Sequence, residues 1–429
     1  VSSSQLAILG GGPAIPAGTI KPWPPVDEVD EKFVLDSIRQ TSHAFGPNCV
    51  KLEEEFAAWN GSKYAVTTNS GTAALHMAVA ACDCGPGDEV LVTAYSWSSS
   101  ATCILHHNAL PVFVDIDWDT MVMDADKLEA AITPRTKAII AVHLHGLPVD
   151  MSKVMAVAEK HNLKVIEDAC QAHGALSSGR KVGTIGHCAA FSLNQNKCLC
   201  AGEGGIFVTD DETILEKARM LWSFGETRTP VESRDYHAYA LGWMYRNSDL
   251  PAAFARAQLT KLDANLAVQR ENARILTEEL LGTPNVILPT QPDDAVHNWY
   301  NYIIRFDMEA LGHVADAESF RDRILAAINA EGLDASVWQR FILPAMTVFQ
   351  AQNAYGKGCP WNCQQEGIAP QSISYALDQY PVAQRHSEWH ACVLTPLRAP
   401  NGPEVPKLAA AAIRKVMDNI DKIEGLPEG

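Results

Sequence analysis

A single lysine, Lys197, stands in the stretch Phe191-Ser-Leu-Asn-Gln-Asn-Lys-Cys-Leu-Cys-Ala-Gly-Glu-Gly-Gly, between two apolar runs and just ahead of a glycine-rich segment. A lysine withdrawn from water loses part of its proton affinity and becomes a nucleophile able to form a Schiff base with a carbonyl. In an arbitrary setting a lysine is a solvated charge, so its surroundings decide. Asp168 closes the run Val165-Ile-Glu-Asp. Ligands of open α/β sheets gather beyond the carboxyl ends of the strands, where a carboxylate can hold a ring nitrogen protonated. A helix cap or a surface acid would use the same residue type. Ser70-Gly71-Thr72 falls where a strand gives way to a helix. The unpaired N–H groups and positive dipole end of such a helix can receive a phosphate, with Gly71 allowing close approach and two hydroxyls adding donors. Serine and threonine also cap helices with nothing bound.

The elements around these residues alternate. Tyr64-Ala-Val-Thr-Thr, Glu89-Val-Leu-Val-Thr, Pro111-Val-Phe-Val-Asp, Ala138-Ile-Ile-Ala-Val-His and Lys164-Val-Ile-Glu-Asp read as strands. Helical patterns cover 73–82, 99–107, 126–132 and 152–161. Short continuous apolar strands alternating with helices predict an α/β fold, a mostly parallel central sheet with helices on both faces. Two more strands, at 189–193 and 205–209, follow without a helix between them and leave Lys197 in their connecting loop. Ahead of the sheet, 27–60 has a helical pattern with apolar Val29, Phe33, Leu35, Ile38, Leu52, Phe56 and Trp59. Beyond about 265 the texture changes to a helix over 267–281, a strand-like run Trp299-Tyr-Asn-Tyr-Ile-Ile-Arg-Phe and an amphipathic helix over 405–423. The expected organisation is an N-terminal arm (1–28), a large domain (29–265) and a smaller C-terminal α+β domain (266–429). The arm is rich in Gly and Pro and costly to order alone, so it is expected to pack on a second copy of the chain.

Composition narrows the function classes. The chain has 429 residues, 47% of them hydrophobic, and 34 basic against 51 acidic side chains for a net charge of −17. That supports a sizeable buried core and argues against a nucleic-acid partner, which would call for a basic footprint. No apolar run reaches the ~20 residues of a membrane span. The first residues, Val1-Ser-Ser-Ser-Gln-Leu-Ala-Ile-Leu, lack the basic and apolar regions of a signal peptide. Eleven cysteines, an odd number in a large chain, suggest free packing thiols in a reducing compartment. The spacings Cys82/Cys84, Cys198/Cys200 and Cys359/Cys363 do not make the paired C-x-x-C sets of a zinc site, and no metal is expected. A soluble cytoplasmic protein is expected.

Taken in order, the strand–Ser-Gly-Thr–helix unit, Glu167-Asp-Ala-Cys-Gln-Ala-His-Gly and Ser192-x-x-x-x-Lys-x-x-x-x-Gly-Glu-Gly-Gly resemble the fold-type-I pyridoxal phosphate enzymes. More narrowly they resemble the DegT/DnrJ/EryC1/StrS aminotransferases, which make amino sugars and aminocyclitols. Val142-His-Leu-His-Gly-Leu-Pro-Val-Asp-Met is similar to a further stretch of that family, and the resemblance spans nearly the whole chain. It implies pyridoxal 5'-phosphate as cofactor, with Lys197 as the Schiff-base lysine that also shuttles the proton. It implies Asp168 at the pyridine nitrogen, Gln171 near the phenolic oxygen, and Ser192 with Ser70, Gly71 and Thr72 at the phosphate. Trp97 matches the aromatic that stacks on the ring, where the residue type alone would fit a core position equally well. His143, His145 and His173 are assigned to packing or hydrogen bonding, since the lysine already fills the acid–base role.

The resemblance further implies a homodimer and two substrates, an amino donor (L-glutamine or L-glutamate) and a carbonyl acceptor. Gln195, Leu199, Gly-Glu-Gly-Gly and the arm segments Leu9-Gly-Gly-Gly-Pro-Ala-Ile and Lys21-Pro-Trp-Pro look like the branch that aminates ketocyclitols with glutamine, as in antibiotic biosynthesis. The alternatives are an aminotransferase acting on a nucleotide-linked ketosugar, a dehydratase on the same fold and a non-catalytic cofactor-binding regulator. In the dehydratase branch a histidine replaces the lysine. A regulator would usually append a basic DNA-binding module. One departure stands out. Where the family often has Gly-x-Asn-x-Arg, with the Asn reaching the neighbouring subunit's phosphate, this chain reads Gly242-Trp-Met-Tyr-Arg-Asn. Met244 cannot make that contact, which leaves Arg246 or Asn247 as the polar candidates.

Overall fold

In two adjacent strands of the central sheet, successive residues belong to different apolar clusters, as a sheet covered on both faces requires. In the computed structural model, which describes residues 5–227, 236–362, 373–393 and 395–425, seven strands make up that sheet. They are β1 (Tyr64–Thr68), β2 (Glu89–Thr93), β3 (Leu110–Val114), β4 (Thr136–Val142), β5 (Lys164–Asp168), β6 (Cys188–Ser192) and β7 (Gly205–Thr209), in the order β1-β7-β6-β5-β4-β2-β3. Ala189 and Phe191 of β6 pack to one side with Ile206 and Val208, whereas Cys188, Ala190 and Phe207 pack to the other. Pairing is parallel from β3 through β2, β4 and β5 to β6, and β7 runs antiparallel to both its neighbours. The β6–β7 reversal needs no crossover helix. It therefore leaves the short loop that carries Lys197.

The helical region ahead of the sheet divides into α1 (Glu28–Gln40) and α2 (Pro47–Asn60). Asp27 opens α1 with a capping box, Thr41 in the left-handed region closes it, and Pro47 starts α2 at its first turn. The buried side of α1 is polar, contrary to the apolar-face expectation. Asp30 and Ser37 are buried, while Val29, Leu35 and Ile38 are exposed. The cause lies in the long helix against which α1 packs, Asp249–Leu280. Asp30 accepts from Gln258 and Lys261 of that helix, and Ser37 donates to Asp249. The long helix begins far earlier than its sequence pattern indicates and runs through residue 265 without a break. Its first half packs on α1 and α2 and its second half on the C-terminal helix Glu404–Met417.

The C-terminal part has a four-stranded antiparallel sheet, β8 (Val286–Ile287), β9 (Tyr302–Phe306), β10 (Ala335–Ser336) and β11 (His390–Val393), in the order β8-β9-β11-β10. The arm packs here on its own chain. Leu6 and Ile15 are buried in this part's apolar cluster. The buried Glu331 carboxylate accepts from Ala7 N (2.7 Å) and Ala14 N (2.9 Å) and pairs with Lys415. Ordering the arm is thus offset within one chain. Among the described residues nine cysteines are free. Cys359 is disulfide-bonded, so the expectation of free thiols throughout fails there. Left-handed Gly356, Lys357 and Gly358 coil the backbone tightly just before it. No helix among the described residues is long and apolar enough to cross a membrane.

Buried histidines make this fold acid-sensitive. Burial lowers His76, His173, His297 and His390 from the ordinary 6.5 to about 3, and holds His145 and His386 well below it. Below pH 6.5 the unfolded chain therefore binds protons that the folded chain refuses. The stabilisation is complete above that pH and is lost on acidification toward 3, at ~1.4 kcal/mol per pH unit for each titrating histidine. The urea midpoint is expected to fall steeply between about pH 6.5 and about pH 5. A midpoint unchanged over that interval would contradict the histidine account.

Candidate active site

The eight residues assigned to the cofactor on sequence line one cavity of about 640 Å³. It lies beyond the carboxyl ends of the parallel strands and is closed on its far side by the C-terminal part. Strand β1 ends at Thr68, and the chain turns into the helix Gly71–Ala81 through Ser70. The Ser70 hydroxyl accepts from Ala73 N (3.1 Å) and caps this helix, and Thr68 Oγ1 donates to Ser70 O (2.9 Å). The first-turn N–H groups beyond the cap have no partner inside the helix. Gly71 is required by space. A Cβ there would stand 2.9 Å from Ser192 Cβ and 3.0 Å from Cys170 Sγ. The Ser-Gly-Thr turn is therefore pressed against Ser192 at the end of β6, forming a small cradle of N–H groups and hydroxyls. Gly71→Ala is expected to cost ~1–3 kcal/mol by overpacking and to weaken retention of a phosphorylated ligand. A melting curve and a ligand titration check both effects.

Asp168, at the end of β5, is centred in the sheet, in register with Val142 of β4 and Ala190 of β6. Its Oδ2 accepts from Ser100 Oγ (2.7 Å), whose own oxygen lies 2.8 Å from Ser96 Oγ, and its Oδ1 accepts from Cys170 N (3.2 Å). The carboxylate is thus buried, oriented and still on the cavity lining. Trp97 is 54% exposed, which rules out a core role for this ring. Gln171 accepts from His145 N (2.7 Å) through Oε1, which leaves its NH2 group as the remaining donor.

The Lys197 loop is tied to itself by Lys197 N to Asn194 O (2.8 Å), Gln195 N to Gly202 O (2.8 Å) and Ala201 N to Leu193 O (2.7 Å). Lys197 Nζ lies 3.3 Å from Tyr300 OH and 4.5 Å from the centre of that ring. Tyr300, Asn301, Asp334 and Trp338 form the wall opposite the sheet, and none was singled out on sequence. They come from distant strands and turns with no local motif, so no spacing signal could have found them.

The three histidines of the sequence analysis are buried and absent from the lining. His143 Nε2 pairs with Glu167 Oε2 at 3.0 Å. Burial pushes the Glu167 carboxyl up, but His143 and the N–H groups of Gly186 and Gly183 more than offset this and hold it below the usual range. His145 Nδ1 bonds to Asn301, and His173 packs on Phe191. Met244 is exposed, and neither Arg246 nor Asn247 lines the cavity of its own chain.

These features suit pyridoxal phosphate. The cradle that a Cβ would fill matches an anionic phosphate, the fixed carboxylate a protonated ring nitrogen, the exposed indole a ring face, and the lysine a carbonyl carbon.

Comparison with known proteins gives the same direction. The model of the DegT/DnrJ/EryC1/StrS aminotransferase family matches residues 26–366. The chain is 37% identical over 316 residues to GDP-perosamine synthase of Caulobacter vibrioides, covering 73% of this chain and 82% of that protein. It is 35% identical over 342 residues to a Streptoalloteichus tenebrarius protein named "Putative L-glutamine:3-amino-2,3-dideoxy-scyllo-inosose aminotransferase", covering 77% and 79%. The crystal structure of 3-amino-5-hydroxybenzoic acid synthase superposes with a TM-score of 0.82 at 27% identity, over 93% of this chain and 99% of that one.

Proposed function

The chain belongs to the DegT/DnrJ/EryC1/StrS family of pyridoxal phosphate-dependent aminotransferases, and from that premise we propose that it transfers an amino group from L-glutamine or L-glutamate to a cyclic keto-sugar or ketocyclitol. The observation that carries the choice of acceptor is the charge of the cavity lining. Among the described lining residues Lys197 is the one basic side chain, against Asp168, Glu203 and Asp334. A diphosphate-linked sugar would call for arginine or lysine forks. A neutral polyhydroxylated ring is served by the asparagines, serines and carboxylates present, with Trp97 and Trp338 as apolar faces. The identity to GDP-perosamine synthase favours the nucleotide-linked ketosugar as second reading.

Bound pyridoxal phosphate supplies the electron sink for the substrate carbon. The protein supplies everything else. Lys197 Nζ would hold the cofactor's carbonyl carbon and would move a proton between the substrate carbon and the cofactor. Asp168, in an orientation set by Ser100 and Cys170 N, would keep the ring nitrogen protonated. Gln171 would donate its NH2 to the phenolic oxygen, Trp97 would cover the ring, and Ser70, Gly71, Thr72 and Ser192 would hold the phosphate. The exposed apolar residues Val29, Leu35, Ile38, Leu241 and Met244 support a homodimer, which sedimentation would test.

Half-reaction spectra test the substrates. L-Glutamine should convert the bound cofactor to its amine form, and a ketocyclitol should restore it. If only glutamate converts it and only nucleotide-linked ketosugars reverse the change, the second reading replaces the first.

A further inference from the structure

Two consecutive carbonyls at the reactive lysine are each held by a side chain from an opposite end of the chain. Trp23 of the arm donates its indole N–H to Lys197 O (3.2 Å), and Arg398 donates from Nη2 to Asn196 O. The Arg398 guanidinium lies 5.0 Å from the Trp23 ring centre and 5.5 Å from that of Tyr300. Tyr300 in turn contacts Lys197 Nζ through its hydroxyl and its face. The four side chains form one chain of contacts around the loop.

Arg398 is an uncommon residue to bury. It is 2% exposed, its Nε has no acceptor, and it appears in no ion pair among the described residues. A buried guanidinium without a carboxylate is costly, so packing alone is a poor account of it. The surroundings fix its place: Asn401 Nδ2 donates to Arg398 O (2.9 Å) and Asn272 Nδ2 to Leu397 O (3.0 Å), while Asn401 Oδ1 accepts from Lys21 N of the arm (2.8 Å). The internal bonds of the loop do not use the carbonyls of Asn196 and Lys197. Without outside donors the peptide that sets the direction of the lysine side chain would be free to rotate.

Resting on the reading of Lys197 as the reactive lysine, we propose that Trp23 and Arg398 are positioning residues that clamp its backbone, making the N-terminal arm a working part of the active site. A displacement of ~1 Å in a reacting group can lower a rate by ~10²-fold, so the clamp acts on turnover more than on substrate affinity.

The test uses full-length Trp23→Phe, Arg398→Met and Arg398→Lys proteins. Phenylalanine keeps an aromatic ring against Arg398 and removes the indole N–H. Amide hydrogen exchange of the cofactor-free proteins should rise about fivefold in 193–201 for Trp23→Phe, the effect of one lost hydrogen bond, with the remainder of the chain unchanged. In the holoenzyme kcat should fall about tenfold with KM within about twofold, and Arg398→Lys should retain more activity than Arg398→Met. Should Arg398→Met not fold, Trp23→Phe alone decides. Wild-type exchange and kcat in the variants, or exchange rising throughout the molecule, would overturn the clamp. Borohydride labelling separates this from the underlying reading: a label on Lys197 with an unclamped loop removes only the present inference, whereas no label in the wild type removes the function itself.

Discussion

Lys197→Ala is expected to lower kcat by at least about 10³-fold while leaving the fold intact, because one side chain serves as both covalent anchor and proton carrier. The side chain is only half-buried, and its contacts are a 3.3 Å approach to Tyr300 OH and the face of that ring. Its removal therefore opens no large cavity and strands no buried charge. The melting temperature should stay within a few degrees of wild type, and small primary amines added to the assay should restore part of the proton transfer. Steady-state kinetics beside a thermal melt checks both halves. A variant retaining more than about a tenth of the activity would show that another group moves the proton.

Asp168→Asn has the second largest expected effect. The substitution keeps the shape of the side chain: its remaining oxygen can accept from Cys170 N while its NH2 group faces Ser100 Oγ, a hydroxyl that can accept. What disappears is the negative charge that keeps a ring nitrogen protonated and so sustains the electron sink. Loss of one such preorganised electrostatic element lowers rates by about 10²–10³-fold. The half-reaction with the amino donor should slow by that factor, with the cofactor still covalently attached at Lys197. Stopped-flow absorbance measures the rate, and an unchanged rate would remove Asp168 from the ring nitrogen.

The parts of the fold that were legible are those with a local physical cause. Continuous apolar runs such as Ala138-Ile-Ile-Ala-Val and Ile206-Phe-Val can satisfy burial on both faces only inside a covered sheet. The connection between the last two strands carries no helical pattern, so Lys197 falls in a loop. Where burial was decided by a distant partner, the sequence misled. The inward side of α1 is polar because Gln258, Lys261 and Asp249 meet it, and nothing within 28–40 announces them. The arm was legible as irregular backbone, but not as a segment anchored by Glu331 and Asn401 of its own chain. The same limit applies to the cavity. Its sheet side carries compact motifs, and the eight residues taken from them share one lining. Tyr300, Asp334 and Trp338 reach the opposite wall only through the register of the second sheet.

Borohydride reduction of the purified holoenzyme, followed by peptide mapping, addresses the central claim without depending on any substrate. Reduction fixes the cofactor to whichever amine holds it, and mass spectrometry locates that amine. The account predicts a single pyridoxyl group on Lys197, in the peptide joining the strands Cys188–Ser192 and Gly205–Thr209. A label on any other lysine, or a protein that takes up no cofactor, would contradict it.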